Sequence, residues 1–326
     1  MTLQAACGWY GITRQAHNQM RLRLAERIRI ETVILTEVQR IRRDLPRLGG
    51  RKLLVKLAPF LEEEGLSIGR DRFFDLLRRH DLLVPVKRKP ARTTFPGGVR
   101  SENLLASATI TGPNQAVVAD ITYIETEEGF LYLALVTDLY SRKIIGWDLS
   151  DSLSLEGAVR AMKRAIQHIQ AAGGDTAGMI HHSDHGSQYT SRPYLALLAQ
   201  AGIRSSMGAV GNAYDNAVAE RVNGILKLEF MLDHRFLNPT IARRAVANAI
   251  RLYNTERPHL SLDYATPAEV YARQQRVGKA AIAEPETKAL APSRGGAAGH
   301  DSQLPLTGAS FRIPSAPAAL PPVLLL

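Results

Sequence analysis

The fold is decided by AVVADITYI at residues 116–124, FLYLALVTDLY at 130–140 and KIIGWDLS at 143–150. Each run is rich in aliphatic, β-branched and aromatic side chains, and short polar turns separate the three, which predicts β-strands. Strands joined by turns this short pair with their sequence neighbours in an antiparallel meander. The sequence therefore predicts three antiparallel strands at the centre of the fold.

Helices and strands alternate after this meander. Apolar side chains recur with a 3.6-residue period over 154–171, which predicts a helix. The pattern continues with a strand at GMIHHS (178–183), a helix at RPYLALLAQAG (192–202), a strand at IRSSM (203–207), and helices over about 215–229 and 240–254. The order βββαβαβα resembles that of the ribonuclease H-like fold, an α/β fold whose mixed sheet is flanked by helices. Element order constrains function only if the site residues agree with it.

The first 85 residues are predicted to form a helical region. Apolar spacing indicates one helix over 20–43, a second from Leu53 to Leu61 that Pro59 should kink, and a third over 71–83. Two short helices joined by a glycine-containing turn are typical of a helix-turn-helix, which binds DNA through its second helix. The candidate DNA-binding residues on or beside that helix are Arg70, Arg72, Arg78 and Arg79. Helical hairpins that do not bind DNA can show the same pattern.

Positive charge is concentrated in the N-terminal part of the chain. Residues 1–100 contain 21 Lys and Arg against 10 Asp and Glu, whereas the rest of the chain contains 20 against 21. A basic linker over 86–113 adds Lys87, Arg88 and Lys89 as candidate DNA-binding residues. A basic region beside a neutral one indicates that the first binds a polyanion such as DNA. A solvated basic surface without a partner is the alternative.

Composition excludes several classes of protein and suggests four segments. No apolar run approaches the ~20 residues of a membrane span. Cys7 is the only cysteine, which excludes an internal disulfide and a multi-cysteine zinc site and fits a reducing, intracellular location. Ala, Pro and Gly dominate after residue 276, a composition typical of disorder. The predicted segments are a helical DNA-binding region (1–85), the basic linker (86–113), an α/β core with C-terminal helices (114–275) and a tail (276–326).

Three carboxylates fall on elements that this fold would place side by side. Asp120 lies within the first strand, in an apolar run where an ionised carboxylate is seldom buried without a partner. Asp184 follows the fourth strand, and Glu220 lies in a predicted helix, separated from Asp184 by 35 residues. Taken alone, Asp120 could be a charge at a strand edge, Asp184 a turn residue, and Glu220 a solvated position on a helix. Together they are suited to two Mg²⁺ or Mn²⁺ ions about 3.5–4 Å apart, an arrangement that catalyses phosphoryl transfer.

The helix over 215–229 offers three acidic residues for this site. Asp215 is placed to cap the helix through its side chain. Glu229 lies nine residues past Glu220, which at ~100° per residue is half a turn round the helix. Glu220 shares a polar stripe with Asn223 and Lys227. The spacing therefore assigns Glu220 to the site and predicts that Glu229 faces elsewhere.

Four further polar residues have two interpretations each. His182 could contact a phosphate or be a structural histidine, and the second is preferred. Asp138 could be a fourth metal ligand, but we prefer a role in capping the turn at Ser141. Arg257 and His259, in YNTERPHLSL, could bind the DNA backbone or form a docking loop between helices. These two interpretations stay open, and Arg257 is kept as a candidate DNA-binding residue.

Five segments resemble the second-frame product of insertion sequences of family three, transposases whose catalytic core is similar to retroviral integrases. The segments are VVADITYI, VTDLYSRKIIGW, HHSDHGSQYTS, SMGAVGNAYDNAVAERVNGILKLEF and YNTERPHLSLDYATPAEVY, within residues 114–272. The 35-residue spacing between Asp184 and Glu220, and the basic Lys227 seven positions later, belong to the family pattern. The resemblance implies that Asp120, Asp184 and Glu220 are the catalytic triad, that Mg²⁺ is the cofactor, and that Lys227 is a candidate DNA-binding residue.

The resemblance also implies the reaction and its partners. It implies cleavage of DNA at the terminal inverted repeats of an element and joining to target DNA by 3′-hydroxyl attack. It further implies a homo-oligomer on DNA and a frameshift fusion to an upstream helix-turn-helix protein. The chain departs from the family at residues 116–118, where tryptophan is usual, and at Asp263, where glycine is usual. Both departures concern local packing.

Two other functions are compatible with parts of the sequence. A non-catalytic DNA-binding regulator would account for residues 50–83 and the basic linker, but not for three carboxylates on the predicted elements. A ribonuclease H-like nuclease would use the carboxylates for hydrolysis without joining strands. Lys227 and the YNTERPH segment favour the transposase.

Overall fold

The computed structural model describes residues 2–85, 103–208 and 217–273. Its helices are α1 Leu3–Trp9, α2 Arg14–Asp44, α3 Gly50–Glu63, α4 Arg70–Arg79, α5 Leu155–Ala171, α6 Ser187–Thr190, α7 Arg192–Gln200, α8 Ala217–Glu229 and α9 Pro239–Thr255. Its strands are β1 Ala116–Thr126, β2 Gly129–Asp138, β3 Ile144–Ser150, β4 Ile180–Ser183 and β5 Arg204–Met207. Outside the described residues lie Lys87, Arg88, Lys89, Asp215 and the predicted tail over 276–326.

The five strands form one mixed sheet in the order β3-β2-β1-β4-β5. The β1–β2 and β2–β3 pairs are antiparallel, which confirms the predicted meander. The β1–β4 and β4–β5 pairs are parallel, because helices carry the chain back between these strands. The predicted α/β fold with the ribonuclease H-like element order is confirmed. Strand β1 lies at the centre of the sheet.

Helices cover both faces of the sheet because β1 and β2 are apolar on both sides. On one face, Val117 and Ala119 of β1 share an apolar cluster with residues of α5 and α7. On the other face, Ile124 of β1 belongs to a cluster with α8 and α9. Side chains alternate between the faces along a strand, so Asp120, with the parity of Ile124, points toward the α8 side.

The N-terminal helices extend this second cluster. Ile34 and Val38 of α2, Leu57 of α3 and Phe73 of α4 belong to the same contiguous core as α8 and α9. The predicted helices are present, and α2 begins earlier than predicted, at Arg14. Helix α3 runs from Gly50 to Glu63 with Pro59 inside it. The sequence patterns did not predict α1 or the short α6.

The backbone at residues 263 and 264 has an unusual conformation. Asp263 has φ of 50° and Tyr264 has φ of 63°, in the left-handed region that favours glycine. Such a backbone suits the glycine that the resemblance leads one to expect at position 263, and aspartate tolerates the conformation better than most residues do. None of the helices within the described ranges has both the length and the apolar character of a bilayer span.

Gly146 of β3 permits the close packing of α5 on the sheet, which gives a first testable prediction. A methyl group at this position would lie 2.7 Å from the backbone nitrogen of Ala165 and also against the carbonyl oxygen of Ala161. Because both contacts are with helix backbone, we expect Gly146→Ala to destabilise the fold by about 1–3 kcal/mol in urea unfolding. Gly224→Ala is the control, since a methyl there meets no described atom within 4 Å. Helix propensity should make that variant about 0.5–1 kcal/mol more stable. Equal stability of the two variants would contradict this packing.

Candidate active site

Asp120, within β1, and Asp184, just past the end of β4, lie on neighbouring parallel strands. The last pair in the parallel register of β1 and β4 is Val118 with His182. Asp120 and Asp184 each lie two residues further along. Because β1 and β4 are adjacent and parallel in this register, positions 120 and 184 lie side by side, which brings the two carboxylates together. Gly186 continues the turn after β4, and its amide donates to Oδ1 of Asp184 at 3.0 Å.

The Asp120 carboxylate is partly buried and fixed at both oxygens. The backbone amide of Ile121 donates to Oδ1 at 2.9 Å. The side-chain amide of Asn223, on α8, donates to Oδ2 at 2.7 Å. A strand amide and a helix side chain thus hold the carboxylate between them. The orientation of Asp120 therefore depends on how α8 packs against β1.

The environment of Asp120 disfavours its ionised form. Burial, followed by the negative charge of Asp184, raises its pKa to about 7. The bonds from Ile121 and Asn223 act in the opposite direction, and the charge of Glu220 makes a further, smaller contribution that raises the pKa. Like charges in a medium of low dielectric constant repel strongly unless a cation lies between them. The three carboxylates thus share one electrostatic site beside β1 and β4.

Glu220 lies in the first turn of α8, just after residues that are not described. Among the described residues, no three His, Cys, Asp or Glu side chains come close enough together to hold one metal ion. The structure therefore pairs Asp120 with Asp184 most strongly and brings Glu220 within electrostatic range. The donor set still fits Mg²⁺ or Mn²⁺, because it offers hard carboxylate oxygens whose mutual repulsion a divalent cation would relieve.

Lys227 supplies positive charge beside the carboxylates. Its ammonium lies 3.8 Å from the centre of the Tyr123 ring, a cation–π contact. Burial lowers the pKa of Lys227, while the charge of Asp120 acts in the opposite direction. Tyr123 itself is 56% exposed. The tyrosine ring thus holds the lysine at the accessible rim of the site.

Glu229 faces away from this site, as the helix spacing predicts. Its carboxylate accepts two hydrogen bonds from Arg257, at 2.7 and 2.8 Å. It also accepts from Nζ of Lys52 on α3 at 2.9 Å. These bonds join α3, α8 and the segment after α9. Sequence analysis did not identify Lys52, because 177 positions separate the partners and no local pattern connects them.

Arg257 lies in the interior, which corrects its place among the DNA-binding candidates. The side chain is 2% exposed, and its guanidinium is held by Glu229 and by the carbonyl of Pro258. A phosphate cannot reach a guanidinium so enclosed without rearrangement of the protein. The structure therefore supports the docking interpretation of the YNTERPHLSL segment for this residue.

The histidines before Asp184 and the aspartate that ends β2 have structural roles. Nδ1 of His182 lies 2.9 Å from the hydroxyl of Ser206, and Nε2 of His181 lies 2.9 Å from the hydroxyl of Tyr194. Burial lowers the pKa of His181 to about 4, so this ring is neutral at pH 7. Asp138 accepts from the amide of Ser141 at 2.7 Å, which confirms its predicted turn role.

The four candidate arginines of the helix-turn-helix lie on or beside the surface of α4. Their side chains are between 45 and 64% exposed. Arg70 pairs with Asp71 and Arg78 with Asp75, while Arg72 and Arg79 lie near Glu31 of α2. The pairs of Arg70 and Arg78 are exposed on both sides, and such pairs contribute about 0–1 kcal/mol and are exchanged easily for other anions. Glu31, the partner of Arg72 and Arg79, has a buried side chain. Their role in DNA binding stays a prediction.

Comparisons with known proteins agree with this architecture. Residues 110–213 match one family model described as an integrase core domain, and residues 201–267 match another with the same description. The insertion element IS600 uncharacterized 31 kDa protein of Shigella sonnei is 36% identical over 224 residues, which are 68% of this chain and 79% of the relative. Transposase InsF for insertion sequence IS3A of Escherichia coli is 34% identical over 259 residues, 78% of this chain and 86% of the relative.

A solved structure is also similar over the core. It is the HTLV-2 integrase catalytic core domain in complex with magnesium, with 17% identity and a TM-score of 0.38. The similarity covers 49% of this chain and 97% of that one.

The raised pKa of Asp120 gives a prediction for the metal-free protein. An aspartate has a pKa of about 3.9 in an unfolded chain. Since the folded value is about 7, the wild type should lose stability as the pH rises from about 4 to about 7. Asp120→Asn lacks this titration. In chelator, its stability relative to the wild type should improve by about 1–3 kcal/mol between pH 4 and pH 8, allowing for solvent screening. Thermal melts measure this, and a pH-independent difference would contradict it.

The Glu229 network gives a second prediction from this region. Glu229→Gln leaves Arg257 and Lys52 without their counter-charge, and Arg257 is only 2% exposed. We expect a loss of about 3–5 kcal/mol in urea unfolding. Glu256→Gln is the matched control, because it breaks an ion pair with Lys56 in which the two side chains are 41% and 30% exposed. Loss of such a surface ion pair should lower the stability by less than about 1 kcal/mol. A loss below 1 kcal/mol for Glu229→Gln would show that the network does not support the fold.

Proposed function

The chain belongs to the insertion-sequence transposases of family three, which contain an integrase core domain, and we propose that Asp120, Asp184 and Glu220 are its catalytic residues. As a member of this family it is a DNA transposase, a polynucleotidyl transferase that cleaves DNA and joins strands. One observation carries the assignment of the residues. Asp120, within β1, and Asp184, just past the end of the parallel strand β4, each lie two residues beyond the paired residues Val118 and His182, and Glu220 lies within electrostatic range of Asp120.

The three carboxylates would hold two divalent cations, Mg²⁺ or Mn²⁺. When bound, such ions polarise the phosphate and favour the attacking and leaving oxygens of an in-line displacement. The site favours cations because the negative charge of Asp184 disfavours the ionised form of Asp120 when no cation lies between them. The number of ions and the participation of Glu220 are parts of this proposal.

The protein's own groups position the reaction. The amides of Ile121 and Asn223 fix both oxygens of Asp120, so its carboxylate does not have to reorient when DNA arrives. The amide of Gly186 fixes one oxygen of Asp184. Asn223 is thus a positioning residue that acts through Asp120. Preorganised charge of this kind is the main means by which phosphoryl transfer is accelerated.

Lys227 would bind a phosphate of the DNA next to the reacting one. Tyr123 holds its ammonium at the rim of the carboxylate site. A lysine there places positive charge on the DNA backbone, whereas the carboxylates retain the metal ions. The positive Lys227 on α8 thus lies beside the negative Asp120 on β1. This arrangement suits a polyanionic substrate, whose phosphates would contact the lysine and the bound metal ions.

The N-terminal region and the linker would provide the chain's contacts with its DNA partners. Residues 1–85 and the basic linker would bind the terminal inverted repeats, through Arg70, Arg72, Arg78 and Arg79 together with Lys87, Arg88 and Lys89. The chain would act on both the element ends and the target DNA as a homo-oligomer in the bacterial nucleoid. A frameshift fusion to an upstream helix-turn-helix protein would add a further DNA-binding module. The excess of basic residues over 1–100 supports these assignments.

Glu220→Gln tests the catalytic assignment. The change keeps the shape of the side chain and removes a charge, so we expect Mg²⁺-dependent strand joining to fall at least about 100-fold while DNA binding is retained. The assay uses a labelled duplex that carries the element's own end. Glu125→Gln is the control, because this exposed carboxylate lies at the far end of the strand that carries Asp120.

The products of this assay decide between the candidate functions. Joined strands from the wild type and from Glu125→Gln, but not from Glu220→Gln, support the transposase with this residue in the site. Full joining by Glu220→Gln would overturn the assignment of Glu220. Cleaved but never joined DNA from the wild type would instead favour a nuclease.

A further inference from the structure

A cavity of about 470 Å³ lies on the side of α8 away from Glu220. Its wall on α8 includes Val218, Arg221 and Ile225. At ~100° per residue these side chains point more than a quarter turn away from Glu220. The opposite wall comes from α3 and from the segment that follows α9. The carboxylate site and this cavity thus lie on different faces of one helix.

The cavity is strongly cationic. Lys52, Arg142, Arg221 and Arg257 line it, and no Asp or Glu among the described residues does so. Glu229 neutralises Lys52 and Arg257 from behind. Arg221 forms no hydrogen bond or ion pair within the described part of the chain, and its side chain is exposed. The lining therefore carries unneutralised positive charge.

Two polar groups of the lining are buried without partners. Nη1 of Arg142 and Nε2 of His259 make no hydrogen bond to any described residue. His259 is 6% exposed, and burial, followed by the charge of Arg257, lowers its pKa to about 3. The neutral ring can therefore carry its proton on Nε2 and donate it. Orphaned buried donors are costly and rare in folded proteins, and a ligand that accepts from them removes that cost.

The size and the remaining walls restrict the ligand. Val218, Val222 and Ile225 supply an apolar surface beside the cations. A volume of about 470 Å³ accommodates a small molecule but not a duplex. An anion with an attached apolar or aromatic group fits this combination of walls. One nucleotide of an unpaired strand has this chemistry, since its phosphate is anionic and its base has an apolar face.

We propose that this cavity binds one nucleotide of an unpaired DNA strand, with its phosphate at Arg142, Arg221 and His259 and its sugar and base against Val218 and Val222. The proposal rests on the proposed function, because a transposase exposes unpaired strands when it cleaves and joins DNA ends. Occupation of the cavity would brace the face of α8 opposite Glu220. Helix α8, which carries Glu220, would then be held in position by the same DNA on which the carboxylate site acts.

The test measures binding in chelator, where cleavage and joining do not occur. Fluorescence anisotropy of the full chain with a labelled single-stranded thymidine 12-mer is compared with that for a blunt duplex of equal length. The variant is Arg142→Gln combined with Arg221→Gln. The matched control is Arg244→Gln, an exposed arginine on α9 that does not line the cavity. Thermal melts establish folding, and Arg221→Gln alone replaces the double variant if that one does not fold.

We expect the cavity variant to bind the single strand at least about 10-fold more weakly, because it loses charge-assisted hydrogen bonds to phosphate. Its duplex binding and both affinities of Arg244→Gln should stay within about 2-fold of the wild type. Unchanged single-strand binding by the cavity variant would overturn the proposal. Equal losses for single strand and duplex would overturn it as well. Neither outcome bears on the catalytic carboxylates, which the joining assay tests separately.

Discussion

The repulsion between Asp120 and Asp184 is the constraint on which the rest of the structure depends. The two carboxylates are brought together by the parallel pairing of β1 and β4, at the centre of a sheet covered on both faces. Two negative charges in such a place destabilise the fold when no cation is present. Proteins retain destabilising groups of this kind where activity requires them. The surrounding architecture holds the charged site open to a cation and to DNA.

Helix α8 is the element that joins the site to the rest of the chain. Its Asn223 fixes Asp120, its Lys227 lies over Tyr123, and its Glu229 binds Arg257 and Lys52. One helix therefore carries the proposed catalytic Glu220, the proposed DNA-binding Lys227 and a structural ion-pair network. The network anchors α8 to the N-terminal helices, so the basic N-terminal region and the carboxylate site are mechanically connected. Substitutions in the network should act on stability first and on catalysis through the position of α8.

Local patterns predict the meander, the alternating helices and the phase of α8, because these follow from periods of two and 3.6 residues. The proximity of Asp120 and Asp184 also follows, once β1 and β4 are taken as parallel neighbours. The partner of Arg257 does not follow. A basic side chain in the sequence does not reveal whether it binds a phosphate or, as Arg257 does, a carboxylate such as that of Glu229. The cavity beside α8 is equally invisible, since its walls come from four separate parts of the chain.

The pKa of Asp120 tests the central claim most directly. Carboxyl resonances of ¹³C-labelled aspartate can be followed in a pH titration, with Asp120→Asn identifying the signal. In chelator we expect a pKa of about 7 for this group. Saturating Mg²⁺ should lower the value by about 1–3 units, because the cation favours the ionised form. A pKa near 4 in chelator, unchanged by Mg²⁺, would contradict the claim that these carboxylates form a strained site for divalent cations.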